Sequence, residues 1–156
     1  MAVEVFNNPI RICYVLAAIL TMHYTYGQDL KRHQWNNRVV LILSDQEDIK
    51  TYQQQIAQFN SLPKDLLDRK IIIYQVLPKR YRIMNNLKNT RPNNWIASTI
   101  LFDKFANKGR DFKIILIGLD GSPKLEQANV LTATELFGTI DAMPMGRAEL
   151  NRKKNR

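Results

Sequence analysis

Three stretches of the chain are apolar almost without interruption: Arg38 to Ser44 (R-V-V-L-I-L-S), Lys70 to Leu77 (K-I-I-I-Y-Q-V-L) and Phe112 to Leu119 (F-K-I-I-L-I-G-L). Each is short and rich in β-branched residues. A strand with one wet face alternates apolar and polar residues, whereas a strand covered on both faces need not. The three runs therefore call for a sheet with cover on both sides, which helices supply. The residues between the first two runs suit that role. Ser44-Asp45 offers a helix N-cap, with Asp48 near the helix start. Ile49, Tyr52, Ile56 and Phe59 then recur at three- and four-residue steps, an amphipathic helix that Leu62-Pro63 ends. Two doubly buried strands joined by a crossover helix are expected to lie parallel.

Beyond the second run, Pro78 closes the strand. The basic, asparagine-rich stretch Lys79 to Asn94 reads mainly as loop, with at most a short helical turn. Trp95, Thr99, Phe102 and Ala106 share one helical face, with Ile96 and Ile100 beside them. Pro92 with Asn93 or Asn94 gives the start and Gly109 the stop. After the third run, Asp120-Gly121 signals a hairpin, because such a turn needs the positive φ these residues tolerate. Pro123 cannot donate to a ladder, so the next strand is expected to be short or at an edge. Thr132 with Glu135 forms a capping box for a last helix whose apolar face is Leu136, Phe137 and Ile140. Residues 151–156 read as a mobile basic tail. No repeat, low-complexity block or internal linker divides the chain. This order fits a thioredoxin-like three-layer α/β sandwich over residues 28–150, with a mixed sheet of about four to five strands and an Asp-Gly β-hairpin. A flavodoxin-like sheet competes, but it would place a helix where the hairpin stands.

The start of the chain reads as a secretory signal over residues 1–27. Residues 12–22 carry no charge and follow Arg11. The run falls short of the roughly 20 residues a bilayer span needs, and suits the apolar core of a signal peptide with cleavage before Gln28. The long leader containing Glu4 and the bulky Tyr24 and Tyr26 fit less well, and an uncleaved anchor or a first core element are the alternatives. Cleavage leaves no transmembrane span and places the product in the periplasm or outside the cell. It also removes Cys13, the one cysteine, so the remaining chain has neither a disulfide nor thiol chemistry.

A formal charge of +9, from 23 basic and 14 acidic residues, favours anionic partners. For an exported chain these are an anionic polysaccharide, an envelope component or a protein, and not nucleic acid. The best basic set is Lys79, Arg80, Arg82, Lys88 and Arg91, interleaved with Tyr81 and Trp95. It could stack on bases or sugars while pairing with anions, or it is a solvated loop.

Several chemistries are excluded. A thioredoxin-like enzyme holds its nucleophilic cysteine after the first strand, where a helix N-terminus lowers the thiol pKa. The equivalent residues here are Ser44-Asp45-Gln46-Glu47, without sulfur and with two carboxylates. Zinc needs three or four ligands, and His33 stands alone after residue 27. Asp45, Glu47 and Asp48 lack the spacing of a calcium loop. No metal or cofactor is expected.

Asp141-Ala142-Met143-Pro144-Met145-Gly146-Arg147 is more open. The Met-Pro-Met turn would bend the chain at a helix end, letting Arg147 return to Asp141 as a fork-shaped ion pair. The methionines would pack on the core or line a pocket. A locked corner, a binding pocket and a catalytic pair are the three readings. Asp120 and Gly121 are explained by turn formation. A general base would need a raised pKa, and no neighbour of Asp120 in the sequence supplies one.

The segments Trp35 to Leu43, Asp68 to Val76, Phe112 to Leu125 and I-D-A-M-P-M-G-R-A-E (Ile140 to Glu149) resemble the domain-of-unknown-function 4174 family over about residues 35–150. The resemblance implies a thioredoxin-like fold without an established activity, in exported bacterial proteins and in related domains of vertebrate secreted matrix proteins, some with sushi repeats. This sequence departs from the family pattern at Leu119, where a lysine is expected, and at Gly146, where an arginine is usual. Both changes remove positive charge. Two functions remain: an exported non-redox binding module, or an enzyme of unrecognised type with a site near Asp141 and Arg147. A pocket joining that pair to Ser44–Glu47 would favour the enzyme.

Overall fold

The computed structural model describes residues 28–84, 94–107 and 109–154. Residues 1–27 with Cys13, over which a secretory signal was expected, the patch residues Lys88 and Arg91, and positions 155–156 lie outside the described residues. The chain divides into two compact units, one reaching to Arg32 and one running from His33 to Arg156. Of the first, the described residues form a single helical turn, α1 (Gln28–Lys31).

The second unit is built on β1 (Arg38–Ser44), β2 (Ile71–Leu77) and β5 (Phe112–Ile117), and every residue of all three is buried. β1 pairs parallel with β2, from Arg38 opposite Ile71 to Leu43 opposite Val76. The crossover carries α2 (Lys50–Asn60) and α3 (Pro63–Asp68). On its other side β1 pairs antiparallel with β5, which pairs antiparallel with β6 (Pro123–Gln127). Val40, Ile42, Ile71, Ile73, Ile114 and Leu116 share one face and form a core with Tyr52 and Phe59 of α2, Leu66 of α3, and Leu136 and Ile140 of α5 (Ala133–Ala142). Each such side chain fully buried contributes about 1.5–3 kcal/mol. The opposite face (Val39, Leu41, Leu43, Ile72, Tyr74, Val76, Ile115, Ile117) is equally buried. On that side Lys113 Nζ donates to the Phe105 carbonyl (2.8 Å) at the end of α4 (Ile100–Phe105). The parallel pair with its crossover and the Thr132–Glu135 capping box stand as expected. Among the described residues no helix is long and apolar enough to cross a membrane.

The differences have local causes. α2 begins at Lys50 with no side-chain cap, because the Ser44 hydroxyl is engaged elsewhere: it donates to the Gln46 carbonyl (2.7 Å) and lies 3.3 Å from that of Asp111. α2 ends at Asn60, ahead of Leu62-Pro63 as expected, but Pro63 also opens α3, since proline fits the first helical turn. Of the stretch Lys79–Asn94, residues 85–93 lie outside the described residues, and the part before them is not loop. Arg80-Tyr81-Arg82-Ile83 has strand alternation and forms β3 (Arg80–Ile83), antiparallel to β2, with Tyr81 turned inward to stack on Tyr74 at 5.7 Å. The helix expected from Trp95 is a two-residue strand, β4 (Ile96–Ala97), paired with β3 and followed by the short α4. The helix ends before Ala106, so Gly109 (φ +83°) lies beyond its stop. The β3–β4 addition makes the sheet six-stranded, in the order β4-β3-β2-β1-β5-β6, where four to five were expected. The basic tail is helical through Lys154, as the end of α6 (Pro144–Lys154).

Candidate functional site

Arg38 opens β1 as the one charged residue of an apolar strand, and its side chain is 1% exposed. Nη1 donates to the Arg69 carbonyl (2.9 Å) and Nη2 to Glu149 Oε2 on α6 (3.1 Å). Lys70 reaches the other oxygen of Glu149 at 3.4 Å. Arg38 Nε has no hydrogen-bond partner. Among the described residues it is the one buried side-chain nitrogen or oxygen so left.

The fork-shaped ion pair exists, with a different arginine. Arg69 donates from Nε to Asp141 Oδ1 (3.2 Å) and from Nη2 to Oδ2 (3.1 Å), while its guanidinium lies 4.3 Å from the Phe137 ring centroid. Arg147 instead donates from Nε to the Ala142 carbonyl (3.0 Å). The corner explains the exchange. Met143 is extended (φ −68°, ψ 147°) and Pro144 starts α6 at once, so Arg147 sits in the first turn of α6 beside the last carbonyls of α5. Gly146 makes this approach feasible, because a Cβ there would lie 2.0 Å from the Ile140 carbonyl oxygen.

Gly118 to Ser122 connect β5 to β6 in five residues, with Gly118 N–H donating to the Ser122 carbonyl (2.9 Å) and Gly121 N–H to that of Gly118 (3.0 Å). Gly121 takes φ +80°, as a turn glycine can. Asp120 binds Lys124 Nζ (2.7 Å) and the Ser122 hydroxyl (2.9 Å). The Lys124 hydrogen bond, then that of the Ser122 N–H, holds its carboxyl down to about 2, the reverse of what a general base needs. Behind this connection stands a segment that sequence reasoning passed over. Gln34 Nε2 donates to the Asp120 carbonyl (3.0 Å) and Trp35 N–H to that of Leu119 (2.7 Å). Trp35 has φ +64°, rare for a bulky residue, and its side chain is 63% exposed.

Both motifs meet in one cavity of about 400 Å³, lined by Arg38, Leu119, Asp120, Lys124, Met143, Pro144 and Met145. That volume is in the range of small-molecule sites. Asp141 and Arg147 are not in its lining, and Ser44–Glu47 lie at or beyond the other end of β1.

The family model for Domain of unknown function (DUF4174) matches residues 29–149. The chain belongs to this family. Neither a curated protein nor a solved structure matches it.

In this DUF4174 domain the basic set of β3 is drawn into internal contacts. Tyr81 is buried under its neighbours and offers no free ring. Arg80 and Arg82 both lie over Trp95, at 4.6 and 4.5 Å. Arg80 also pairs with Glu47 (3.0 Å), and Arg82 donates to Gln75 Oε1 (2.9 Å). That same oxygen accepts from Tyr52 (2.8 Å), whose hydroxyl is pushed up to about 12 by burial. Lys79 flanks the set in the β2–β3 turn. Among the described residues no group of three or more His, Cys, Asp or Glu could hold a metal ion. One signal could have found Arg38: a charge heading an otherwise apolar, doubly covered strand has to be paired or used.

Proposed function

We propose that this DUF4174 chain is an exported, non-redox binding module with a thioredoxin-like core, and that its ligand site is the pocket at the head of β1. The core reading is supported by the parallel β1–β2 crossover, the antiparallel β5–β6 pair beside it and the closing α5. In it, β3–β4 is an edge addition and Gly118–Ser122 is the turn of the Asp-Gly hairpin. The place of a redox thiol is held by Ser44, whose hydroxyl is spent on backbone carbonyls.

One observation carries the binding reading: the two motif segments, far apart in sequence, line one pocket together with the buried Arg38. An enzymatic role for Asp141 and Arg147 lacks footing, since both groups are held in corner-forming contacts outside that wall. The ligand is an envelope component or part of a protein. An anionic polymer has less support, because the arginines of β3 are already engaged.

The neutral dye N-phenyl-1-naphthylamine tests this. Its fluorescence is expected to rise with the wild-type protein and to fall by more than half with Met145→Trp, which fills the rim from a position that is 45% exposed. Equal fluorescence from both proteins, at unchanged stability, would remove the pocket as the site. Export is tested by intact mass and compartment after expression in a two-membrane bacterium; a full-length cytoplasmic species would end that part.

A further inference from the structure

The charges around the pocket do not cancel. Three cations, Arg38, Lys70 and Lys124, stand against two carboxylates, Glu149 and Asp120. Both acids are already committed. Glu149 is shared between Arg38 (3.1 Å) and Lys70 (3.4 Å). Asp120 accepts from Lys124 Nζ at 2.7 Å and from the N–H and hydroxyl of Ser122. Lys124 first, and then Ser122, hold its carboxyl down to about 2, so it stays ionised and engaged at neutral pH. The cations are not equally open to a ligand. Arg38 is 1% exposed, so it contributes charge and not a contact. Lys124 lines the pocket with its side chain 33% exposed. An ammonium has three N–H donors, and Asp120 is the one acceptor that Lys124 Nζ meets among the described residues.

The rest of the lining is apolar: Leu119, Met143, Pro144 and Met145. It runs from Met145, which is 45% exposed, to Met143, which packs against the core. Unbranched thioether side chains adapt to irregular apolar shapes. Neither a hydroxyl nor an amide side chain stands among the described lining residues, so the hydroxyls of a sugar or the amides of a peptide would enter without side-chain partners. We infer that the pocket takes a single-chain carboxylate amphiphile, a free fatty acid in chemical class, with its head on Lys124 Nζ at the mouth and its hydrocarbon against Leu119 and the Met-Pro-Met corner. Held there, the carboxylate stays within reach of water and is spared the desolvation that a buried anion costs. The inference rests on the pocket being the binding site, and it narrows the envelope components to lipid.

Three probes of equal chain and different charge separate the terms: octanoate, octanol and octylamine. Each is titrated, below its micelle-forming concentration, into the full ¹⁵N-labelled chain. The backbone amide signals of Leu119, Asp120, Lys124, Met143 and Met145 are followed by NMR. Octanoate is expected to bind about 3–5-fold tighter than octanol, the worth of one partly exposed ion pair, and octylamine more weakly than either. Added salt should narrow the gap between octanoate and octanol. Lys124→Met should remove the advantage of octanoate over octanol, and Met145→Trp should weaken both alike. If octanoate binds no tighter than octanol to the wild-type protein, the head-group inference is overturned while the pocket survives as an apolar site. Tightest binding by octylamine overturns the sign of the charge drawn above. An octanoate advantage that persists in Lys124→Met, or shifts confined to other residues such as Arg80 and Arg82, places the anion elsewhere and overturns the inference too. If none of the three probes moves the pocket signals, both the inference and the pocket are overturned.

Discussion

The two ends of β1 are made of the same strand and do opposite things. At the carboxyl end, Ser44 is buried, its hydroxyl reaches two backbone carbonyls, and Asp45 N–H donates to the Asp111 carbonyl (3.0 Å). The following helix starts only at Lys50, six residues beyond Ser44, with no side-chain cap. At the amino end, Arg38 gathers the backbone of Arg69 and the carboxylate of Glu149 and still keeps one donor unused beside a cavity. One strand thus ends in a closed backbone contact on one side and beside a cavity on the other, and the proposed binding site belongs to the second.

The largest test of that contrast is Arg38→Ala. It removes the link between β1, the β2 approach and α6, and should cost about 3 kcal/mol in urea denaturation. A loss below about 1 kcal/mol would mean that the amino end is held together by something else. Gly146→Ala should come next, at about 2 kcal/mol, because the added methyl meets the Ile140 carbonyl and the α5–α6 corner must shift. Asp141→Asn should cost about 1 kcal/mol, since the bidentate pair with Arg69 is partly exposed, and Arg147→Ala only a few tenths. The reverse ranking would restore Arg147 as the partner of Asp141.

A smaller effect sharpens the pocket rim. The folded pKa of Asp120 is depressed, so its contribution is complete above the ordinary carboxylate range and is lost as pH falls through about 2. The carboxyl is exposed, so little stability is at stake. Carbon-detected NMR titration should find the midpoint near 2 and, in Lys124→Met, raised part of the way back, since the Ser122 hydrogen bonds remain. No movement in that variant would show that Lys124 is not the cause. The smallest effect belongs to the carboxyl end. Ser44→Cys should yield a thiol that reacts no faster than free cysteine, whose pKa is about 8.5. Enhanced reactivity at neutral pH would break the contrast outright.

The central sheet was legible because its cause is strong and local. Runs such as Val39–Leu43 and Ile71–Tyr74 have few other ways to be buried, and the Thr132–Glu135 box announces its own helix. Short elements were not legible. Four residues of β3 and two of β4 take their form from an existing sheet edge, and the inward turn of Tyr81 depends on Tyr74. The motif residues of the site could be read as chemically distinct. Their partners could not, because Arg69 lies 72 residues from Asp141, and Arg38 lies 111 residues from Glu149. Nothing in a one-dimensional pattern orders Arg69 ahead of Arg147 as the nearer cation.

Those long separations bear on how the pocket comes into being during synthesis. All six strands are complete once Gln127 has been made, yet Met143, Pro144 and Met145 are still to come and Glu149 is later still. The cavity is therefore completed only after every strand has emerged from the ribosome. A nascent chain can have its whole sheet and no site, and a protease that clipped the α5–α6 corner would erase the site while leaving every strand intact.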